Sequence, residues 1–205
     1  MQSLLERDFQ PRMQFAAWIL EKCSEDNNFL RNMLFTDEAQ FTRDEVLNYH
    51  NEHKWAFTNP HAIKQNRNQY QFNINVWAGI VGEQLLGPYF FSGSLSGHRY
   101  LEFLQNYLPD LLEDVPLEIM RRMWFVHDGA PAHFQLNVRQ FLDTEYSERW
   151  IGRGAPAPRS WPPRSPDCNP IDFYLWGHVK TLVYQNVVPQ SLDELIERII
   201  EALIL

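Results

Sequence analysis

Three aspartates stand in contexts that could carry chemistry together. Asp37 closes the apolar run Met33-Leu34-Phe35-Thr36, and Asp128 closes Met123-Trp124-Phe125-Val126-His127. Asp172 opens a helix after the loop Trp161-Pro162-Pro163-Arg164-Ser165-Pro166-Asp167-Cys168-Asn169-Pro170. Carboxylates supply the hard oxygen donors that magnesium and manganese prefer. Two acids at strand ends and a third at a helix start form the ligand set of a two-metal phosphoryl-transfer site. There, ions roughly 3.5–4 Å apart clamp the attacking and leaving oxygens of an in-line displacement.

Each acid also has a plain structural reading. By strand alternation Asp37 shares a face with Phe35, and Thr36 takes the opposite, solvent-facing side. A carboxylate beside core residues is costly unless paired or metal-bound, so the rival reading of Asp37 is a cap or turn starter. Asp128-Gly129 could be a simple turn. Asp172 could serve only the helix dipole. Asp167, five positions upstream, competes with Asp172 as the third acid. His127 and His133 flank the second acid, where a histidine is more often a satisfied core group than a ligand. Glu38 reads as a strand neighbour and not a ligand, Asn169 and Arg164 as residues that orient the loop. Cys168 is assigned no chemistry.

These residues need a scaffold of strands and helices. Periodicity predicts a helix over Gln10 to Glu21 and strands over Asn32–Phe41, Asp44–Tyr49, Phe72–Val81 and Leu85–Phe91, with Val81-Gly82-Glu83-Gln84 as a hairpin connection. Ser96 caps a helix running to about Glu113, with Tyr100, Leu104, Tyr107, Leu108 and Leu111 on its apolar face. Arg122–Asp128 reads as a short buried strand, and Pro131–Tyr146 as a helix. Gly152–Pro163 reads as a loop. Helices follow from Pro170 to about Tyr184 and from Ser191 to the end. Strands, then strand–helix alternation, then terminal helices make an α/β domain with a mixed sheet.

At 205 residues the chain suits one domain with a real core. It has no membrane-length apolar run and no signal-peptide layout. Two cysteines without ligand spacing point to a reducing compartment, cytosol or nucleus. A net charge of −8 is unlike a free-standing DNA binder, although metal-holding carboxylates account for part of it. Basic residues gather in His61 to Arg67, Arg121-Arg122 and Arg149 to Arg164.

Thr36-Asp37-Glu38-Ala39-Gln40-Phe41, His127-Asp128-Gly129-Ala130-Pro131-Ala132-His133 and Ser165-Pro166-Asp167-Cys168-Asn169-Pro170-Ile171-Asp172 together resemble the three signature blocks of mariner-superfamily DDE/DDD transposases. The intervening Trp77-Ala78-Gly79-Ile80, Gly87-Pro88-Tyr89-Phe90-Phe91 and Phe173-Tyr174-Leu175-Trp176-Gly177 fit the same pattern, from about Phe9 to the last helix. One tripeptide would be weak evidence; all three blocks in order are specific.

The resemblance implies a ribonuclease-H-like fold, with a mixed five-stranded sheet flanked by helices and its first and fourth strands side by side. It divides the chain into a helical lead-in, 1–30, and a catalytic domain, 31–205. It favours Asp172 over Asp167, and it implies Asp37, Asp128 and Asp172 as catalytic metal ligands for two Mg2+ or Mn2+ ions. It places His133 near the site, within reach of substrate phosphate. The activity implied is cleavage and strand transfer in DNA transposition. Double-stranded DNA, both transposon ends and target, would be the partner, with a homodimer on DNA, in the nucleus.

The chain departs from the family in two ways. The helix-turn-helix domains that usually precede the catalytic domain are absent, so the expectation is a catalytic fragment, a decay product or a gene that lost its DNA-reading half. A last helix that breaks off by pattern adds the expectation of a missing C-terminal segment. Asp172 follows Asp128 by 44 positions, longer than the family's usual interval, and the excess falls in Glu148 to Ser160. A surface insertion need not move the acids. The alternatives are a domesticated or inactive transposase-derived protein without catalysis, and a ribonuclease-H-type nuclease for RNA–DNA hybrids, which usually needs four acids.

Overall fold

The computed structural model describes residues 3–43, 72–155, 159–185 and 187–204. Its sheet has five strands in the order β3-β2-β1-β4-β5. These are β1 (Met33–Thr42), β2 (Asn73–Val81), β3 (Gln84–Phe91), β4 (Trp124–Val126) and β5 (Trp150–Ile151). β1 runs antiparallel to β2 and parallel to β4, and β4 is parallel to β5. The first and fourth strands are therefore neighbours, as the resemblance implied. Gly82, at φ +60°, makes the tight β2–β3 turn that a side chain would strain.

Both faces of the sheet are covered. One packs Leu34, Trp77 and Phe125 against α2 (Gly97–Asn106), the single turn α3 (Leu108–Leu111) and α5 (Leu136–Glu145). The other packs Ala39, Phe41 and Val76 against α6 (Trp176–Tyr184) and α7 (Leu192–Ile204). On that same face α1 (Glu6–Glu25) sets Phe15 and Trp18 against Met33, Val126 and Ile151. Phe35 touches both of these clusters, so β1 marks the seam between α1 and α6. The helix α4 (Leu117–Arg122) leads into β4.

Several expectations change in the structure. Thr36 is fully buried and not solvent-facing, because the central strand is covered on both sides; its Oγ1 donates to the Val126 carbonyl at 2.7 Å. Trp150–Ile151, to which periodicity assigns no element, is a strand. Phe125 N–H donates to Arg149 O at 2.9 Å and His127 N–H to Ile151 O at 3.0 Å, so the segment supplies the fifth strand. Asp44–Tyr49 lies outside the described residues. The helix capped by Ser96 stops at Asn106, because Pro109 has no N–H to continue the ladder, and Tyr107 faces outward. α5 begins only at Leu136, after a turn over 131–134.

Gly152 is where backbone and ring meet most tightly. A Cβ there would lie 2.2 Å from His127 Nε2 and 2.9 Å from the Trp150 ring. Gly152→Ala is expected to destabilise the fold by about 1–3 kcal/mol through overpacking, read as a lower midpoint in denaturant.

Candidate active site

The β1–β4 register pairs Phe35 with Val126, and Asp37 and Asp128 each stand two residues further along. Alternation keeps both on the face covered by α1 and α6. Asp172 reaches the same place from the chain ahead of α6, where Ile171–Leu175 forms a wide π-type turn. Asn169 fixes that approach. Fully buried, it donates from Nδ2 to the Thr36 carbonyl at 3.0 Å, and its Oδ1 accepts the Ile171 N–H at 3.1 Å. One side chain thus ties the residue before Asp37 to the residue before Asp172.

Each carboxylate is held differently. Asp37 Oδ2 accepts the Trp176 indole N–H at 2.8 Å in a buried setting. Asp128 Oδ1 takes the Ala130 N–H at 2.8 Å and faces His133 Nδ1 at 2.8 Å. Asp167, the rival acid, is turned away: Arg12 grips both of its oxygens, at 3.1 and 2.5 Å. Arg12 also donates to Arg164 O at 3.0 Å and to Ser165 Oγ at 2.5 Å, and Arg164 in turn pairs with buried Asp8 at 2.6 Å. Arg164 and Asn169 do orient the loop, from its two ends.

The electrostatics show the three acids acting on one another. Burial, followed by the charges of Glu38, Asp172 and Asp128, pushes Asp37 up to about 8. Burial and the charge of Asp128 push Asp172 up to about 6, against a hydrogen bond with Asp37 that pulls it down. Burial would raise Asp128 too, but the hydrogen bond and charge of His133 and the Ala130 N–H outweigh it and leave it low. Burial alone would lower His133; the Glu38 charge and the Asp128 hydrogen bond reverse that and lift it to about 10.

His133 is therefore an imidazolium set between Asp128 and Glu38, whose Oε2 lies 3.0 Å from Nε2. That second contact is off line for a hydrogen bond, so it is an ion pair only. The ring is 1% exposed, which turns it toward the carboxylates and away from a substrate phosphate. It stacks on His127 at 4.7 Å and 7° between planes. His127 is pushed well below its ordinary value by burial and by His133, and its Nδ1 lies 3.1 Å from the Tyr100 hydroxyl.

Asp128 and Asp172 line a cleft of about 610 Å³, with Arg153, Arg164 and the Trp161–Pro166 loop as its other walls. Among the described residues no three carboxylate, histidine or cysteine side chains are gathered tightly enough to make a ready cage. The donor set nonetheless fits a hard divalent ion. Two of its carboxylates, Asp37 and Asp172, are raised chiefly by burial and by neighbouring negative charge, a cost that a cation removes.

A family model for the DDE superfamily endonuclease matches residues 32–196. The chain belongs to that family. Among solved structures, the catalytic domain of Mos1 mariner transposase superposes with a TM-score of 0.69 at 18% identity, over 98% of this chain and 82% of that one. A Mos1 catalytic domain with raltegravir and Mg gives 0.69 at 17%, over 98% and 84%. The mariner Mos1 paired-end complex with Mg gives 0.70 at 19%, over 98% and 56%. At these identities the likeness concerns the fold. The chain spans about half of the longer Mos1 chains, 55% in the complex with the left transposon end. A comparison with curated proteins gives no match. The expected DDE-type, ribonuclease-H-like catalytic fold is thus borne out.

Sequence reasoning missed two residues of this DDE endonuclease site. Trp176 lies four positions beyond Asp172, hence on its helical side, and that spacing was the available signal. Glu38 reads as a strand neighbour of the site and not a ligand; its pairing with His133 is what nothing in the sequence signals.

Two predictions follow from the charges. Asp37 binds its proton more tightly folded than unfolded, so rising pH removes stability up to about 8, and His133 adds in the same direction. Between pH 6 and 8 the melting temperature of metal-free protein should fall, and fall less in Asp37→Asn; a flat wild-type profile would mean Asp37 ionises normally. Secondly, His133→Asn leaves Glu38 buried and unpaired, and should cost about 3–5 kcal/mol. Adding Glu38→Gln should recover much of that loss in a double-mutant cycle.

Proposed function

We propose that this chain is the catalytic core of a DNA transposase, cutting at the ends of an element and joining them to target DNA. The observation that carries the reading is the meeting of Asp37, Asp128 and Asp172 on one face, beside an open cleft, with the pKa values of Asp37 and Asp172 raised by burial and by neighbouring charge. Asp37, Asp128 and Asp172 would hold two Mg2+ or Mn2+ ions. Bound there, the ions supply an activated water or 3′-hydroxyl and stabilise the leaving 3′ oxygen.

The chain's own residues do the rest. His133 and the Ala130 N–H hold Asp128 Oδ1, which leaves Oδ2 as the donor oxygen. Trp176 fixes the rotamer of Asp37. Asp37 gives up its proton as the cation arrives, so binding strengthens with pH. Asn169 keeps Asp172 in register with β1. Hydrolysis and strand transfer would use the same site in turn, on double-stranded DNA, with a homodimer bridging two ends, in the nucleus. Nothing in the site favours the inactive alternative.

Supercoiled plasmid DNA with Mg2+ or Mn2+ tests this. Nicking by wild type should drop to background in Asp37→Asn, Asp128→Asn and Asp172→Asn, each still folded by circular dichroism. A metal at about a hundredfold over its Kd should also stabilise wild type by about 2.7 kcal/mol, and Asp128→Asn by much less. Cleavage that survives Asp128→Asn would sink the proposal.

A further inference from the structure

Two arginines line the cleft, and only one is spoken for. Arg164 is paired with Asp8 at 2.6 Å. Arg153 is exposed, and no ion pair ties it down among the described residues. Its guanidinium carbon sits 4.5 Å from the centre of the Phe134 ring, and Arg139 lies over the same ring at 4.7 Å. Arg139 is itself fastened to the Phe134 carbonyl by Nε at 3.2 Å.

The placement of Arg153 is built and not incidental. Its stem lies across Gly129, where a Cβ would come 3.5 Å from it, and Gly129 is the residue after Asp128. Phe134 is held by its N–H to Ala130 O at 3.2 Å, in the turn that also carries His133. Gly154, at φ +84°, lets the chain turn closely past the Phe134 ring, 2.9 Å from where its Cβ would be. A guanidinium stacked on an aromatic face keeps its N–H edge free, and that planar fork matches a phosphate.

We propose that Arg153, stacked on Phe134 with Arg139 beside it, grips a backbone phosphate of duplex DNA next to the one being cut. The contact rests on the transposase reading and adds to it a substrate-positioning residue from Glu148–Ser160, the stretch by which this chain departs from the usual mariner spacing. It also gives an acidic chain a local cationic grip where the nucleic acid would lie. Being a phosphate contact, it is blind to base sequence.

The test is the salt dependence of binding to a duplex oligonucleotide in EDTA, for wild type, Arg153→Ala, Arg153→Lys and Arg31→Ala. Arg31, in the short turn before β1, removes the same charge away from the cleft. Losing one phosphate contact should lower the slope of log affinity against log salt by about 0.9. The ratio of wild-type to Arg153→Ala affinity should then shrink about 3.5-fold between roughly 50 and 200 mM salt. Arg153→Lys should keep the slope, and Arg31→Ala should match wild type. An unchanged slope in Arg153→Ala, or an equal loss in Arg31→Ala, overturns the proposal. Metal-dependent nicking by wild type is scored in parallel. If it is present while the slope is unchanged, only the Arg153 contact fails; if it is absent, the transposase reading itself fails.

Discussion

Like charges forced into one buried place set the terms for this molecule. Two unit charges about 4 Å apart repel by about 4 kcal/mol at an effective dielectric near 20. No carboxylate cluster assembles unless packing elsewhere compels it. Here the compulsion comes from the middle of the sheet. β1 and β4 lie side by side, locked by the Thr36 hydroxyl on the Val126 carbonyl, and Asn169 stitches the third acid's turn to the same strand. The hydrophobic clusters on either face hold these few polar bonds in place.

The sheet then separates two kinds of electrostatics. On the Tyr100 side, Glu38, His133 and His127 form a closed set in which one imidazolium answers two carboxylates. On the other side, burial and neighbouring negative charge raise Asp37 and Asp172, with the hydrogen bond between them and one indole N–H as partial relief. Asp128 belongs to both: its Oδ1 is tied to His133 and the Ala130 N–H, while its charge raises Asp37 and Asp172. The paired set needs nothing further, whereas a cation would relieve Asp37 and Asp172.

Much of this was legible in the sequence, and unevenly so. Asp37 and Asp128 announce themselves because an acid ending an apolar run is anomalous under strand alternation, and Asp37 does share its face with Phe35. The choice of Asp172 over Asp167 could not be settled by spacing; the structure explains Asp167 through Arg12, a partner 155 residues away. β5 escaped notice because two residues followed by glycine carry no periodic signal; its pairing with β4 is purely tertiary. Thr36 was misjudged for a related reason. Alternation predicts which side a residue faces, not whether a second layer covers that side.

The Arg12 fork has a mechanical meaning. Arg12 sits in α1, yet every acceptor it binds outside its own helix, Arg164 O, Ser165 Oγ and Asp167, belongs to the loop that delivers Asp172. Asp8 returns the grip through Arg164, one turn earlier on the same helix. α1 is thus a strut clamped at two points to the mount of the third acid. Asn169 holds the far end of that loop to β1, so the third acid, though on no strand, is braced between a helix and the sheet and shares the rigidity of both.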